Sequence, residues 1–324
     1  MRAIVVDRWM DPSELRVREI PEPTPKPGSV AIEVRAAGCN FFDVLLVQGR
    51  YQVKPPFPFV PGAEIGGVVR AVGEGVTGLA VGDRVLASGT TGGFAEVAVA
   101  PAAAVHVLPA AMSFEEGAAL PVIYPTSYAG LVYRGDLREG DTLLVHAAAG
   151  GVGVAAVQIG RALGARVIAT AGGPEKCEIA LREGAHAAID YRSEDFVPLV
   201  LELTDGRGAD VIYDSVGGDT TQKSLKCIAW NGRLVVIGFA GGEIPEIKAN
   251  RILLKNIAVT GLHWGAHAQH DPERVVDCFA SLFRLHARGQ IAPVIYGRYA
   301  LEDVPVALEA LATRKTHGKL IVTP

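Results

Sequence analysis

No stretch of this 324-residue chain reaches the roughly 18 consecutive apolar residues that a membrane-crossing helix requires, although 49% of its residues are apolar. Basic charge does not accumulate either. Thirty-one Lys and Arg stand against 35 Asp and Glu, a net charge of −4, so nucleic acid is not an expected partner. Cysteine is scarce: Cys39, Cys177, Cys227 and Cys278 form no C-x-x-C pair and no Cys/His group with zinc-ligand spacing. This fits a reducing compartment, with the four thiols free and acting as small hydrophobes. His263 and His267 share one side of a turn, but two imidazoles without a third ligand do not make a metal site, and no metal is expected. The N-terminal residues MRAIVVDRWMDPSEL lack the apolar core of a signal peptide and read as a first strand. A cytoplasmic location is expected.

What the chain does have is glycine, 38 residues of it, and one cluster stands in an informative place. Thr142 to Ala171 reads TLLVHAAAGGVGVAAVQIGRALGARVIATA. An apolar run meets Gly150, Gly151 and Gly153, a small-residue helical run follows, and a second apolar run closes the segment. Strand, tight turn, helix and strand make a βαβ unit suited to a dinucleotide. Glycine lets the backbone N–H groups of Ala149, Gly150, Gly151 and Val152 approach a pyrophosphate, and the helix N-terminus adds partial positive charge. The first glycine of the usual G-x-G-x-x-G is Ala148 here, so the assignment rests on the flanking strands as much as on the glycines.

Two organisations follow one another. Up to about residue 120, short runs (Ala3 to Val6, Leu15 to Ile20, Val30 to Ala37, Gly66 to Val72, Arg84 to Leu86, Phe94 to Val99) are punctuated by Pro and Gly, as in a β-rich unit. Pro21 to Pro27 alternates proline and cannot pair as a central strand. Asn40 to Gln48 predicts a short helix, and Ser113 with Glu116 a capping box. From about 123 to 264, strand candidates at 142–147, 166–171, 187–189, 210–213, 233–237 and 257–261 alternate with helical runs, which predicts a doubly wound parallel sheet. Asp271 to Arg288 and Leu301 to Thr313 read as helices and Lys319 to Val322 as a last strand, a tail expected to return to the first unit.

The chain resembles the zinc-free quinone oxidoreductase (zeta-crystallin-like) branch of the medium-chain dehydrogenase/reductase superfamily. The resemblance rests on AAGCNFFDVLLVQGRY (36–51), PGAEIGGVV (61–69), VGDRV (81–85), GGFAE (92–96), AAAGGVG (147–153), GADVIYDSVGG (208–218), GRLVVIGFA (232–240) and GKLIVTP (318–324). It implies an α/β protein with a GroES-like catalytic domain, residues 1–122 and 265–324, and a Rossmann cofactor domain, residues 123–264. Zinc alcohol dehydrogenases of the superfamily carry Cys where Asn40 stands and His where Ala63 stands. Neither replacement offers the donor that a catalytic zinc prefers, and Glu64 beside them is left with a structural role.

The second βαβ strand ends Ala169-Thr170-Ala171-Gly172-Gly173 with no carboxylate to accept from an adenosine ribose, whereas Lys176 follows within a turn. A cation without an anion suits a 2′-phosphate, which favours NADPH. The resemblance adds Tyr191 around that phosphate, with Arg192 as a lesser candidate. It places Thr126, Gly238, Phe239, Ala240, Leu262, His263, Trp264 and Lys319 at the nicotinamide end, in a cleft between the domains. Asn40, Asp43, Tyr51 and Tyr128 are expected to line the acceptor side. Tyr51 stands where related enoyl thioester reductases carry their proposed proton donor. The expected activity is NADPH-dependent hydride transfer to a conjugated small-molecule acceptor, a quinone first, with the C=C bond of an enone or enoyl thioester as the alternative. A nucleotide-binding structural or RNA-binding role is the alternative from another class. A homodimer paired through the edge strand at 256–261 is expected.

Overall fold

The computed structural model describes residues 1–89 and 91–324. The chain divides into two units, Met1–Val122 with Pro293–Pro324 and Ile123–Ala292. In the first lie β1 (Arg2–Ile4), β2 (Val17–Glu19), β3 (Ser29–Cys39), α1 (Phe41–Val47), β4 (Glu64–Val72), β5 (Arg84–Ser88), β6 (Val97–Pro101), β7 (Val105–Val107) and α2 (Phe114–Ala119). The second begins with α3 (Ile123–Tyr128) and runs through β8 (Thr142–Val145), α4 (Gly151–Ala162), β9 (Arg166–Ala171), α5 (Pro174–Arg182), β10 (Ala187–Asp190), α6 (Phe196–Leu203), β11 (Ala209–Asp214), α7 (Gly218–Cys227), β12 (Ile228–Val236), α8 (Ala249–Lys255), β13 (Ala258–Gly261), α9 (His267–His270) and α10 (Pro272–Ala287). The chain then returns to the first unit as β14 (Ile295–Ala300), α11 (Val304–Ala312) and β15 (Lys319–Thr323).

The first unit is built on a seven-stranded sheet in the order β14-β15-β3-β4-β5-β7, with β6 added to β3. All its pairings are antiparallel except β14 with β15. Antiparallel neighbours need only short connections, and the Pro and Gly clusters supply them; no strand falls within Pro21 to Pro27. Ile4, Leu15, Ile32, Phe94 and Leu320 share one core. Ser113 caps α2 by accepting from Glu116 N at 3.2 Å, while the Glu116 carboxylate accepts from Ser113 N at 2.7 Å.

In the second unit six parallel strands run in the order β10-β9-β8-β11-β12-β13. The order reverses beside β8, and in such sheets ligands bind at the carboxyl ends of the strands flanking that switch. β8, β9 and β11 are buried almost throughout, as parallel strands covered on both faces must be. Their core joins Leu144, Ile168, Ile212 and Leu234 to Phe196 and Val200 of α6.

Residues 265–292 belong to this second unit, not to the first as the sequence suggests. The reason is the buried stripe of α10: Cys278, Phe279 and Leu282 are sequestered, and the Cys278 thiol reaches Pro125 O of α3 at 4.0 Å. The return to the first unit falls at Pro293.

Candidate functional site

The chain leaves β8 at Val145 and must turn to start α4. Ala147 takes φ 50°, left-handed backbone that a side chain seldom adopts, and Gly150 N closes the turn on Ala147 O at 2.9 Å. Gly150 is the N-cap of α4, and no side chain caps the first turn. The first-turn N–H groups of Gly151, Val152 and Gly153 have no intrahelical acceptor. A Cβ on Gly153 would overlap Ala147 O and come 2.7 Å from Ala148 Cα, so glycine lets the helix lie against the turn. Ser127 Oγ donates to Val152 O at 2.8 Å, which ties α3, and with it Thr126, to the start of α4. Uncapped amides on a twelve-residue helix suit a phosphate.

At the end of β9, Tyr191 N donates to Ala171 O at 3.1 Å. A Cβ on Gly172 would lie 2.6 Å from Tyr191 Oη and 3.2 Å from Arg192 Nε; the tyrosine and the arginine therefore cover the Gly172–Gly173 backbone. Lys176, half-buried, is in the first turn of α5. One carboxylate does stand here, and the sequence reading missed it: Asp190 Oδ1 accepts from Gly173 N at 2.8 Å and Arg192 N at 3.0 Å. The Arg192 and Gly173 amides hold its pKa below the usual carboxylate range. It comes from the third strand of the unit, β10, and its work is to fix the turn.

Gly238, Phe239 and Ala240 follow β12, held to the end of β11 by Ile237 N on Asp214 O at 2.8 Å and Ala240 N on Ser215 O at 3.0 Å. Leu262 N on Val236 O at 3.1 Å extends β13. The Trp264 ring stacks on His267, centroids 5.0 Å apart, and His267 Nδ1 lies 3.3 Å from His263 O. The turn after β8, Gly172 after β9, 238–240 after β12 and 262–264 after β13 thus occupy carboxyl ends of one parallel sheet. Tyr128 packs edge-on against Tyr133 at 5.6 Å.

The remaining residues lie in the first unit. Asn40 is the N-cap of α1; its N–H donates to Asp43 Oδ2 at 2.8 Å, and Asp43 N donates back to Asn40 O at 3.0 Å. Asp43 is fully buried, and its Oδ1 has no hydrogen-bond partner among the described residues. Burial pushes its pKa up to about 7, against the pull of Asn40 N–H and Lys319. Tyr51 stacks on Phe42 with centroids 5.2 Å apart, and burial together with the Asp43 charge raises its phenol pKa.

Lys319 does not reach outward to a cofactor as expected. It is 2% exposed, and its ammonium donates to Cys39 O at 2.8 Å, to Asn40 Oδ1 at 2.9 Å and to Glu64 Oε1. All three of its hydrogens are engaged inside the unit. Glu64 also accepts from Asn40 Nδ2 at 2.8 Å and from Val122 N at 2.9 Å. The Asn40 carboxamide is consequently fixed by a buried ion pair, with one Nδ2–H still unassigned.

A doubly wound sheet with a glycine turn at its switch point, carried on the same chain as a GroES-like unit, is the architecture of medium-chain dehydrogenases and reductases. Residues 26–110 match the family model "Alcohol dehydrogenase GroES-like domain" and residues 151–281 the model "Zinc-binding dehydrogenase". A quinone oxidoreductase-like protein 2 homolog of Nematostella vectensis is 44% identical over 90% of this chain and 81% of its own. A quinone oxidoreductase of Pseudomonas aeruginosa is 39% identical over 97% of this chain and 96% of its own. The crystal structure of Escherichia coli quinone oxidoreductase complexed with NADPH superposes over 100% of both chains with a TM-score of 0.93 at 33% identity. The chain belongs to the zinc-free, quinone oxidoreductase-like branch of the medium-chain dehydrogenase/reductase superfamily.

Proposed function

We propose that this protein is a metal-independent, NADPH-dependent oxidoreductase whose acceptor is a quinone. One observation carries the reading. The glycine turn and uncapped start of α4 form a phosphate cradle, and the neighbouring strand end presents Lys176, Tyr191 and Arg192 while its carboxylate, Asp190, is engaged by backbone amides. That pattern suits a dinucleotide carrying a 2′-phosphate. The NADPH complex of the E. coli relative supports the same choice.

When bound, the nicotinamide supplies a hydride; the protein supplies placement and protons. The amides of Ala149, Gly151 and Val152, joined by Gly153, would hold the pyrophosphate, that of Gly150 being engaged by Ala147 O; Lys176 and Tyr191 would hold the 2′-phosphate, and Thr126, Gly238–Ala240 and Leu262–Trp264 the nicotinamide end. Tyr51, with its raised pKa, keeps its proton through neutrality and can donate it to an acceptor oxygen. Asn40 offers its remaining Nδ2–H. Metal independence is supported by chemistry: Asn40 and Ala63 are poor ligands, and the Lys319 ammonium lies on Glu64.

The test is NADPH oxidation, followed by absorbance after chelator treatment, against a simple quinone and a short 2-enoyl thioester. Turnover of the quinone is expected. Turnover of the thioester alone would replace the reading with C=C reduction, which the Tyr51 proton also favours. NADPH binding without turnover of either would favour the non-enzymatic alternative. The same reading includes a homodimer through β13, an edge strand whose neighbour α8 exposes Leu253 by 78% and Leu254 by 71%.

A further inference from the structure

His146 is the last core residue before the glycine turn, 1% exposed, and nothing above gives it a task. Its ring lies between two hydroxyls: Nδ1 is 2.9 Å from Thr170 Oγ1, and Nε2 is 2.7 Å from Ser224 Oγ. The Ser224 hydroxyl has one hydrogen, which goes to Thr220 O at 2.7 Å. With its hydrogen assigned to Thr220 O, the hydroxyl accepts from the imidazole. Nε2 therefore carries the proton, and Nδ1 accepts from Thr170. Every polar atom of the ring is satisfied in one neutral tautomer.

Thr170 and His146 lie on segments that the dinucleotide meets in the proposed function, and Ser224 ties them to the helix that follows β11. Thr170 is on β9 just before Gly172, Ser224 is on α7, and His146 itself leads into the turn. The backbone adds Ala148 N on Thr170 O at 3.0 Å and His146 N on Tyr213 O at 3.1 Å. Phe196 of α6 packs edge-on at 4.9 Å. Among the described residues the charged group that acts on the ring is Asp214, whose carboxylate accepts from Val216 N, Gly217 N and the Thr221 hydroxyl.

We propose that His146, fixed as the Nε2-protonated neutral tautomer, is a positioning residue for NADPH, setting the spacing of the glycine turn, the end of β9 and α7. A residue needed only for volume would be apolar, like Leu143, Leu144 and Val145 before it. A polar ring with both nitrogens matched specifies one arrangement. Burial pushes its pKa down to about 4, overcoming the Asp214 charge, so the arrangement persists at neutral pH.

The inference rests on NADPH occupying the glycine turn. A fluorescence titration of the parent protein tests that first: no NADPH binding there defeats the proposed function and this role with it, whereas NADPH binding that His146→Leu leaves unchanged defeats the role of His146 alone. With binding established, His146→Leu is expected to weaken NADPH about tenfold, the equivalent of ~1.4 kcal/mol. KM for NADPH should rise with it while kcat stays within about twofold. His146→Gln, which keeps an acceptor and a donor, should recover most of the affinity. Affinity within about twofold of the parent in His146→Leu, or equal loss of KM and kcat in both variants, overturns the proposal. Should His146→Leu fail to fold, nitrogen NMR of the histidine-labelled parent decides. An Nε2–H signal unchanged from about pH 8 to about pH 5.5 supports the clamp, and an Nδ1–H tautomer or a titrating ring overturns it.

Discussion

Lys319 and Glu64 bring opposite charges into the buried interior of the first unit, and each is tolerable only because of the other. Removing one member of such a pair strands its partner, at a cost of about 3–5 kcal/mol. Lys319→Met is accordingly expected to lower the stability read by urea unfolding by about that amount, with Lys319→Met/Glu64→Leu recovering most of it. Asp43 behaves differently, since its folded pKa of about 7 lies above the 3.8 ordinary for an aspartate. In that window the folded protein holds a proton that the unfolded chain has lost, so the carboxylate destabilises progressively as pH rises from about 4 to about 7. Asp43→Asn should therefore gain on the parent in thermal unfolding at about pH 8 relative to about pH 5. Lys176→Ala should raise KM for NADPH, not NADH, by about tenfold or more, the scale of a charge-assisted hydrogen bond; equal shifts would remove it from the phosphate. Some of this was legible in the sequence: the glycine turn does open α4, and Lys176 does stand in the first turn of α5. The Lys319–Glu64 pair was not, because the two lie 255 positions apart and nothing local reports that they meet. Asp190 escaped for a related reason: its carboxylate serves a turn from the adjoining strand.

At the scale of elements, legibility followed burial. The parallel strands of the second unit read clearly as unbroken apolar runs, and the capping box of α2 announced itself in four residues. β14 did not: it alternates half-buried with exposed residues, and a register shift against β15 falls between Ile295 and Gly297. α10 was recognised as a helix, but an amphipathic stripe does not say which surface it will cover, and hence the boundary at 265 was wrong. The contact between α4 and its preceding turn leads to a prediction of its own. Gly153→Ala would drive a methyl group into Ala147 O, pushing the helix off the turn. Loss of NADPH binding by titration, with a lowered melting temperature, is the expected result; a variant that binds normally would mean that the turn yields freely.

For the whole molecule, the proposed pairing of β13 with its counterpart predicts a particle of twice 34.0 kDa in light scattering, and a monomer at micromolar concentration would remove the dimer from the proposed function. The interruption of the first unit by the second also bears on how the protein is made. β15 fills the place between β14 and β3 and delivers the ammonium that Glu64 requires, yet it follows 170 residues of the other unit, Ile123–Ala292. On a ribosome the second unit has all its strands in hand while the first is still an open sheet with a buried carboxylate awaiting its partner. Translation order thus lets the second unit assemble its sheet before the first, which closes only when β15, synthesised after it, joins β3.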